Sequence, residues 1–201
     1  MSAVRLLVLG AVIGRGTAHG YQVRKDLESW RIDLWGSIGQ GSIYHALRRL
    51  EAEGQLDEVE DDSPSAGPSR TLYRATEAGR RTFRDLLEHT LASEESSPEQ
   101  TVAAIGLLPE LTRDRAIELL DRRLTAFRSR RERMVREHEQ NPDEDWAHHV
   151  EAISYWNRAA TAEIEWTAAL LASLRAGAYT LRGEHAEEPP DHPLAAARPC
   201  P

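Results

Sequence analysis

Residues 39–56, GQGSIYHALRRLEAEGQL, leave a chain of this kind few ways to fold. Apolar side chains recur there at the i, i+3, i+4, i+7 spacing of one helical face; they are Ile43, Ala46, Leu47 and Leu50. A turn of about 100° per residue places His45 and Arg48 on the opposite side. Gly54 is a typical end for such a helix. The segment therefore predicts a helix that packs through one face and presents hydrogen-bond donors from the other.

The segments around this helix predict a winged helix-turn-helix domain over residues 1–92. Periodicity predicts helices at 3–13, 18–30 and 77–91 and strands at 56–60 and 71–76. The strands flank a loop rich in Pro, Gly and Ser, so we expect them to pair as a two-stranded wing with a long tip. The order helix, helix, helix, hairpin, helix is that of a winged helix-turn-helix.

A second, helical domain is predicted over residues 97–176, which makes the fold class mainly α. Ser97-Pro98-Glu99-Gln100 has the spacing of a capping box and opens a helix that continues as Thr101–Leu108. Two longer helices, 112–140 and 143–176, are separated by Asn141-Pro142 and form an antiparallel hairpin. Residues 177–201, which include five prolines after Gly183, show no periodicity, and we expect them to be a disordered tail.

The apolar faces of this hairpin are too wide to be buried by one chain. A second copy is the simplest partner, so the helical region is predicted to form a homodimer. The residues expected at the pairing surface are Leu120, Leu124, Phe127, Ile153, Trp156, Ile164 and Leu171.

Composition excludes several classes of protein. The single cysteine, Cys200, rules out a disulfide framework or a multi-cysteine metal site. The longest apolar run, Leu6–Val12, is far shorter than a membrane span, and no secretory signal is recognisable, so we expect a cytoplasmic location. The net charge is −8, but residues 1–92 carry 12 basic and 13 acidic residues and the remainder carries 13 and 20. Two basic islands, 40–50 and 68–84, lie in the nearly neutral first part.

The basic islands coincide with the helix at 39–56 and with the wing, which favours binding to double-stranded DNA. The first turn of the helix can face a phosphate, the exposed side can reach the major groove, and the small cationic wing tip can follow the phosphates or enter a minor groove. The expected DNA-binding residues are Gly41, Ser42, Tyr44, His45, Arg48, Arg49, Ser69, Arg70 and Arg74. The alternative is an ordinary solvated helix and edge strand.

Three strings in this region resemble the PadR family of transcriptional regulators. They are His19-Gly20-Tyr21, GSIYHALRRLEAEG at 41–54 and YRATEAG at 73–79, and the resemblance extends over residues 3–92. The family usually has Pro where this chain has His45, and a Gly-Arg-Pro-Arg-like wing where this chain has Gly67-Pro68-Ser69-Arg70. The resemblance implies a homodimeric repressor whose C-terminal helices pair the subunits and which a small molecule often releases from DNA.

Aromatic residues cluster in the last predicted helix. Trp146, Tyr155, Trp156 and Trp166 could line a pocket for a small aromatic effector, or could simply be core residues. A metal site at His148-His149 with Asp145 or His138 is disfavoured because adjacent histidines point apart on a helix. The sequence contains no phosphate-binding glycine loop, no G-x-S-x-G and no H-E-x-x-H. We therefore predict a protein that is not an enzyme and has no cofactor.

The sequence thus predicts a sequence-specific DNA-binding regulator, dimeric on a pseudo-palindromic operator and responsive to a ligand. The overall charge of −8 motivates one alternative, a small-molecule or protein-binding module that has a winged-helix fold without DNA binding.

Overall fold

The computed structural model describes residues 3–31, 39–59, 71–140 and 147–184. The helices are α1 Ala3–Arg15, α2 Gly20–Ser29, α3 Gln40–Ala52, α4 Glu77–Ala92, α5 Pro98–Gly106, α6 Arg113–Gln140 and α7 Ala147–Arg175, with a short 3₁₀ turn at Leu108–Glu110. The strands are β1 Thr17–His19, β2 Leu56–Val59 and β3 Leu72–Ala75. Within these described ranges, no helix combines the length and apolarity that crossing a membrane requires. The described residues divide into an N-terminal unit, 3–90 with 97–107, and a C-terminal unit, 91–96 with 108–184.

The core of the N-terminal unit is built around α1. Its central residues, Leu6–Val12, are all buried, which agrees with the apolar character of this segment on nearly every side. Helix α3 packs against α1 and α2 and contributes the predicted stripe, of which Ile43, Leu47 and Leu50 are at most 1% exposed. Burying these aliphatic side chains stabilises the unit by roughly 2 kcal/mol each.

The sheet of the N-terminal unit has three strands in the order β1-β3-β2, all antiparallel. The predicted wing strands β2 and β3 are confirmed, with Asp57 paired to Arg74 in the register. The third strand was not predicted. Ala18, assigned by the sequence to the start of the second helix, lies instead in β1 opposite Tyr73 and is fully buried. The chain turns into this strand at Gly16, whose φ of +76° favours glycine.

The wing is joined to α4 by a compact set of hydrogen bonds around Thr76. The Thr76 hydroxyl donates to the Gly54 carbonyl (2.8 Å) and accepts from the Gly79 N–H (2.9 Å). The Thr76 N–H donates to the Gln55 carbonyl (3.1 Å). A Cβ at Gly79 would lie 2.1 Å from that same carbonyl oxygen. Only glycine allows the backbone of α4 to approach the base of the wing this closely, which explains the Thr-x-x-Gly spacing.

Helix α5 begins with the predicted capping box. The Gln100 N–H donates to the Ser97 hydroxyl (3.3 Å), and the Ser97 N–H donates to the Gln100 side-chain oxygen (2.8 Å). The domain assignment of α5 differs from the prediction, because α5 packs on α1 in the N-terminal unit and not with the long helices. Gly10 permits this packing: a Cβ there would lie 2.9 Å from a methyl group of Leu107.

Helices α6 and α7 form the predicted antiparallel hairpin in the C-terminal unit. Its interior is mostly aliphatic and includes Leu119, Leu120 and Leu174. One charged side chain, Arg123, is fully buried there. Its guanidinium donates to the Ser93 carbonyl (2.6 Å) and to the Glu163 carboxylate (2.9 Å), and a buried charge needs such partners.

Residues 177–184, which the sequence placed in the disordered tail, pack on the hairpin. Arg113 binds the Glu184 carboxylate through two nitrogen atoms and also donates to the carbonyls of Leu174, Ala178 and Tyr179. Leu181 is buried. The prediction of disorder is therefore wrong for these eight residues, and the rest of the predicted tail lies outside the described residues. The pKa of Arg113 is raised by its hydrogen bond to Glu184.

Candidate nucleic-acid interface

Helix α3 exposes the face that the sequence assigned to DNA. Its apolar stripe is locked into the N-terminal unit, so the helix cannot rotate about its axis without exposing Leu47. The six candidate residues on the other face are all exposed; they are Gly41, Ser42, Tyr44, His45, Arg48 and Arg49. The predicted exposure is confirmed, while contact with DNA stays a prediction.

The two adjacent arginines of α3 differ in their surroundings. Arg49 donates to the Glu53 carboxylate (2.8 Å) one turn later, and Arg5 of α1 binds the same carboxylate. The hydrogen bond from Arg5 has the larger effect and that from Arg49 the next largest, and together they lower the pKa of the Glu53 carboxyl to about 2. Arg48 makes no ion pair with any residue in the described ranges. Arg48 is therefore the arginine of this pair that is available to an external acceptor.

The first turn of α3 has no side-chain cap among the residues that the structure describes. Gly39 is the N-cap, and it supplies no side-chain acceptor for the first N–H groups of the helix. Gly41 has open space around its Cα, and the Ser42 hydroxyl is on the exposed side. An unblocked first turn of this kind is suited to a backbone phosphate.

Tyr44 is held against the start of α2 by a close contact. A Cβ at Gly20 would lie 2.8 Å from Cε1 of Tyr44, so glycine at this position lets the phenol ring lie over α2 while remaining 40% exposed. The neighbouring His19 and Tyr21 rings stack at 5.6 Å between centroids. The string His19-Gly20-Tyr21 thus has a local role: it shapes the surface beside the exposed face of α3.

The wing is described only in part. Arg74 is exposed on β3 between Thr17 and Asp57 of the neighbouring strands, so its position on the outgoing strand agrees with the prediction. Ser69 and Arg70, with the rest of the predicted wing tip, lie outside the described residues.

The residues predicted to pair two subunits fall into two groups. Leu120, Leu124, Phe127 and Leu171 are buried by the chain itself, so they hold the C-terminal unit together and do not present a surface to a partner. Ile153 and Ile164 are partly exposed, and Trp156 is 51% exposed. Of the predicted pairing set, Ile153, Trp156 and Ile164 therefore remain accessible, because periodicity identifies an apolar face without telling which chain covers it. Pairing of two subunits through them stays a prediction.

The aromatic residues predicted to line an effector pocket are largely solvent-facing. Tyr155 and Trp166 are exposed like Trp156, and Trp156 meets Tyr155 edge-on (5.7 Å) and lies beneath Arg130. Trp146 lies outside the described residues. The alternative of core packing is wrong for these three described aromatics, and a role in binding an effector stays a prediction.

Sequence reasoning missed a basic segment on α6. Residues 122–136 contain seven arginines and one acidic residue, Glu132, although the C-terminal part of the chain is acidic as a whole. Net charge summed over short windows identifies this arginine-rich segment, whereas sums over residues 1–92 and 93–201 hide it.

Residues 8–85 match the family model described as the transcriptional regulator PadR-like family. No curated protein matches the chain. Among solved structures, Bacillus subtilis PadR in complex with operator DNA is 16% identical with a TM-score of 0.40, over 86% of this chain and 99% of that chain. Bacillus subtilis PadR in complex with p-coumaric acid is 16% identical (TM-score 0.38; 87% and 99%). The PadR-like regulator BC1756 from Bacillus cereus is 15% identical (TM-score 0.37; 87% and 99%).

Proposed function

We propose that this protein is a PadR-like transcriptional regulator, as the match of residues 8–85 to that family model suggests, and that it binds double-stranded DNA in a sequence-specific manner as a homodimeric repressor. The observation that carries the proposal is the division of α3 into a buried stripe and an exposed face that bears Arg48 and an uncapped first turn. A helix enters the major groove only when one face is anchored in its domain and the other offers donors to the base edges.

The charge of the region supports the same function. The exposed face of α3 has no acidic residue between Gln40 and Leu50, and Arg74 lies on the adjacent wing strand. The acidic residues of the wing that are described, Asp57 and Glu58, are on the incoming strand β2. Contact is proposed through α3, the outgoing strand and the wing tip, and Asp57, the register partner of Arg74, offsets part of the positive charge of that strand. Neutralising several phosphates per dimer makes the binding steeply dependent on salt.

Dimerisation is proposed to use the partly exposed apolar side chains of α7. Ile153, Trp156 and Ile164 are the members of the predicted pairing set that the chain leaves partly uncovered. A two-fold pair would place two copies of α3 about one helical turn of DNA apart, roughly 34 Å, on a pseudo-palindromic operator. Regulation by a ligand then requires a difference in its affinity for two states of the dimer.

The decisive experiment compares two adjacent arginines. Binding of the wild type, Arg48→Ala and Arg49→Ala to the DNA upstream of the protein's own gene is measured by fluorescence anisotropy. Arg48→Ala should weaken binding by about tenfold or more, because one base or phosphate contact is lost. Arg49→Ala should cost less, because Glu53 already engages Arg49. Arg122→Ala, the same change of charge on exposed α6, is the matched control.

Thermal unfolding and sedimentation of each variant exclude effects through folding or assembly. Equal affinity of all four proteins for this DNA, or binding that does not change with salt, would contradict the proposal. It would favour the alternative, a winged-helix module that binds a small molecule or protein without DNA.

A further inference from the structure

The basic residues of the chain include a single lysine. Of the 25 lysine and arginine residues, 24 are arginines, and Lys25 is the exception. A guanidinium group stays protonated and is not acylated under mild conditions, whereas the amine of a lysine is a common target of acylation. Acylation removes the positive charge of the amine. Lys25 is therefore the one basic side chain of this sequence whose charge an acyl group can remove.

Lys25 lies on the solvent side of α2. Val23 and Leu27, two residues before it and two residues after it, are fully buried. A turn of about 100° per residue places Lys25 on the opposite side of the helix, and its side chain is exposed. The amine is thus accessible to a reagent and to a binding partner.

The charged residues next to Lys25 in the sequence are already paired. Asp26 accepts two hydrogen bonds from Arg15 of α1, and Glu28 accepts one from Arg24 (2.8 Å). In the part of the chain that the structure describes, Lys25 itself forms no ion pair. Its positive charge is therefore available to an anion from outside the protein.

The Nζ atom of Lys25 lies near the first turn of α2. It is 6.0 Å from the centroid of the Tyr21 ring, which stacks with His19. Tyr44 of α3 reaches the same turn, since a Cβ at Gly20 would lie 2.8 Å from the Tyr44 ring. In a helix-turn-helix the second helix lies in the major groove and the first crosses the phosphate backbone. The ammonium group is thus on the first helix, at the end that a residue of the proposed DNA-binding face contacts.

We propose that Lys25 binds a backbone phosphate of DNA and that acylation of its Nζ weakens this binding. The inference rests on the proposed DNA-binding function, and it adds a contact outside both basic islands together with a covalent means of regulation. A lysine ammonium is a compact charged donor that suits a phosphate. The acylated nitrogen is neutral, so it loses both the ion pair with phosphate and the cation–π contact with Tyr21.

An acyl phosphate is the class of acyl donor that the reaction uses. The unprotonated Nζ attacks the carbonyl carbon, a C–N bond forms, and the bond from that carbon to the phosphate oxygen breaks. Inorganic phosphate leaves with the bonding electrons, the nitrogen releases a proton to water, and no atom is oxidised or reduced. The reaction requires an exposed amine and no other group of the protein.

Treatment of the full chain with acetyl phosphate tests the inference. Wild type and Lys25→Arg, which keeps the charge but lacks the amine, are treated side by side, and peptide mapping by mass spectrometry measures acetylation at residue 25. Fluorescence anisotropy measures the affinity for the DNA upstream of the protein's own gene. We expect acetylated wild type to bind about tenfold more weakly and Lys25→Arg to keep its affinity. Acetylation of the N-terminal amine is common to both proteins, so the comparison cancels it.

The dependence on salt identifies the contact as one to phosphate. Lys25→Gln, which lacks the charge, should bind as weakly as acetylated wild type. Its plot of log affinity against log salt concentration should be shallower by about one unit per lysine. Arg122→Gln, the same loss of charge at an exposed position of α6, is the matched control and should change neither quantity. Thermal unfolding of each variant excludes an effect through folding.

Three results would overturn the inference. They are a Lys25 that stays unmodified under conditions that acetylate a lysine-containing peptide, an acetylated protein with unchanged affinity, and an equal loss of affinity in treated Lys25→Arg. In each case untreated wild type still binds DNA, so the result counts against this inference alone. Untreated wild type that binds no DNA would contradict the proposed function, and this inference with it.

Discussion

The interior of the N-terminal unit and that of the C-terminal unit are stabilised in different ways. The N-terminal unit is closed by aliphatic packing and by glycines that let backbone and side chains approach closely, as at Gly10 and Gly79. The C-terminal unit keeps a charged arginine in its interior and leaves Trp156 and Tyr155 exposed. The N-terminal unit thus relies on close backbone packing, whereas the C-terminal unit relies in part on a buried charge and its hydrogen-bond partners.

The largest loss of stability is expected where the N-terminal unit is tightest. Gly79→Ala would place a Cβ 2.1 Å from the Gln55 carbonyl oxygen, so the wing base must separate from α4 and lose the Thr76 hydrogen bonds. We expect the free energy of unfolding to fall by about 4 kcal/mol, measured by chemical denaturation. Gly106→Ala, with nothing within 4 Å of the added atom, is the control and should be nearly neutral. A neutral Gly79→Ala would refute this account of the packing.

The next largest effect is expected inside the C-terminal unit. Arg123→Met removes the hydrogen bonds to the Ser93 carbonyl and the Glu163 carboxylate, so both acceptors lose their donor. This loss should lower the free energy of unfolding by about 3 kcal/mol. Arg122→Met, at the exposed neighbouring position, should change it by less than about 0.5 kcal/mol. If the two variants melt alike in thermal unfolding, the buried arginine does not hold the unit together.

A smaller effect, on assembly and not on folding, is expected at the exposed side of α7. Trp156→Ala should weaken dimerisation by about 2 kcal/mol, because large aromatic side chains dominate interface energies, and should leave the thermal stability of the monomer unchanged. Sedimentation velocity over a range of concentrations measures the change. Tyr179→Asn, an equally exposed aromatic outside α7, should not alter the dimer. A wild type that stays monomeric at micromolar concentration would disprove the pairing.

The smallest effect is expected from the exposed carboxylate that binds Arg5 and Arg49. Because the pKa of Glu53 is lowered to about 2 in the folded chain, its ionised form stabilises the fold above its unfolded pKa, near 4.3. This contribution is lost as the pH falls from about 5 toward 2. Wild type should therefore be slightly more stable than Glu53→Gln at pH 6, and the difference in melting temperature should vanish near pH 2. A difference that is constant with pH would contradict this origin.

Local patterns predicted most elements of both units. The stripe of α3 and the capping box at Ser97 and Gln100 depend on residues close together in sequence, and the structure confirms both. Strand β1 was not predicted, because three residues carry almost no periodicity. The strand is defined by its pairing with β3, more than fifty residues later in the chain.

Interactions between distant residues account for the other differences. Arg113 orders residues 177–184 from the beginning of α6, and Arg5 helps to engage the carboxylate that also binds Arg49. The i,i+4 spacing of Arg49 and Glu53 favours their pairing, but no pattern near residue 49 shows that Arg5 also binds Glu53. The hairpin interior shows a related limit, since the apolar stripe containing Leu124 and Phe127 is equally suited to covering by its own chain or by another.

The hydrogen bonds of Arg113 have a mechanical consequence. They join the first turn of α6 to the final carbonyls of α7 and to the segment beyond, at the end of the hairpin opposite its connecting loop. The two helices therefore cannot separate at that end unless these hydrogen bonds break.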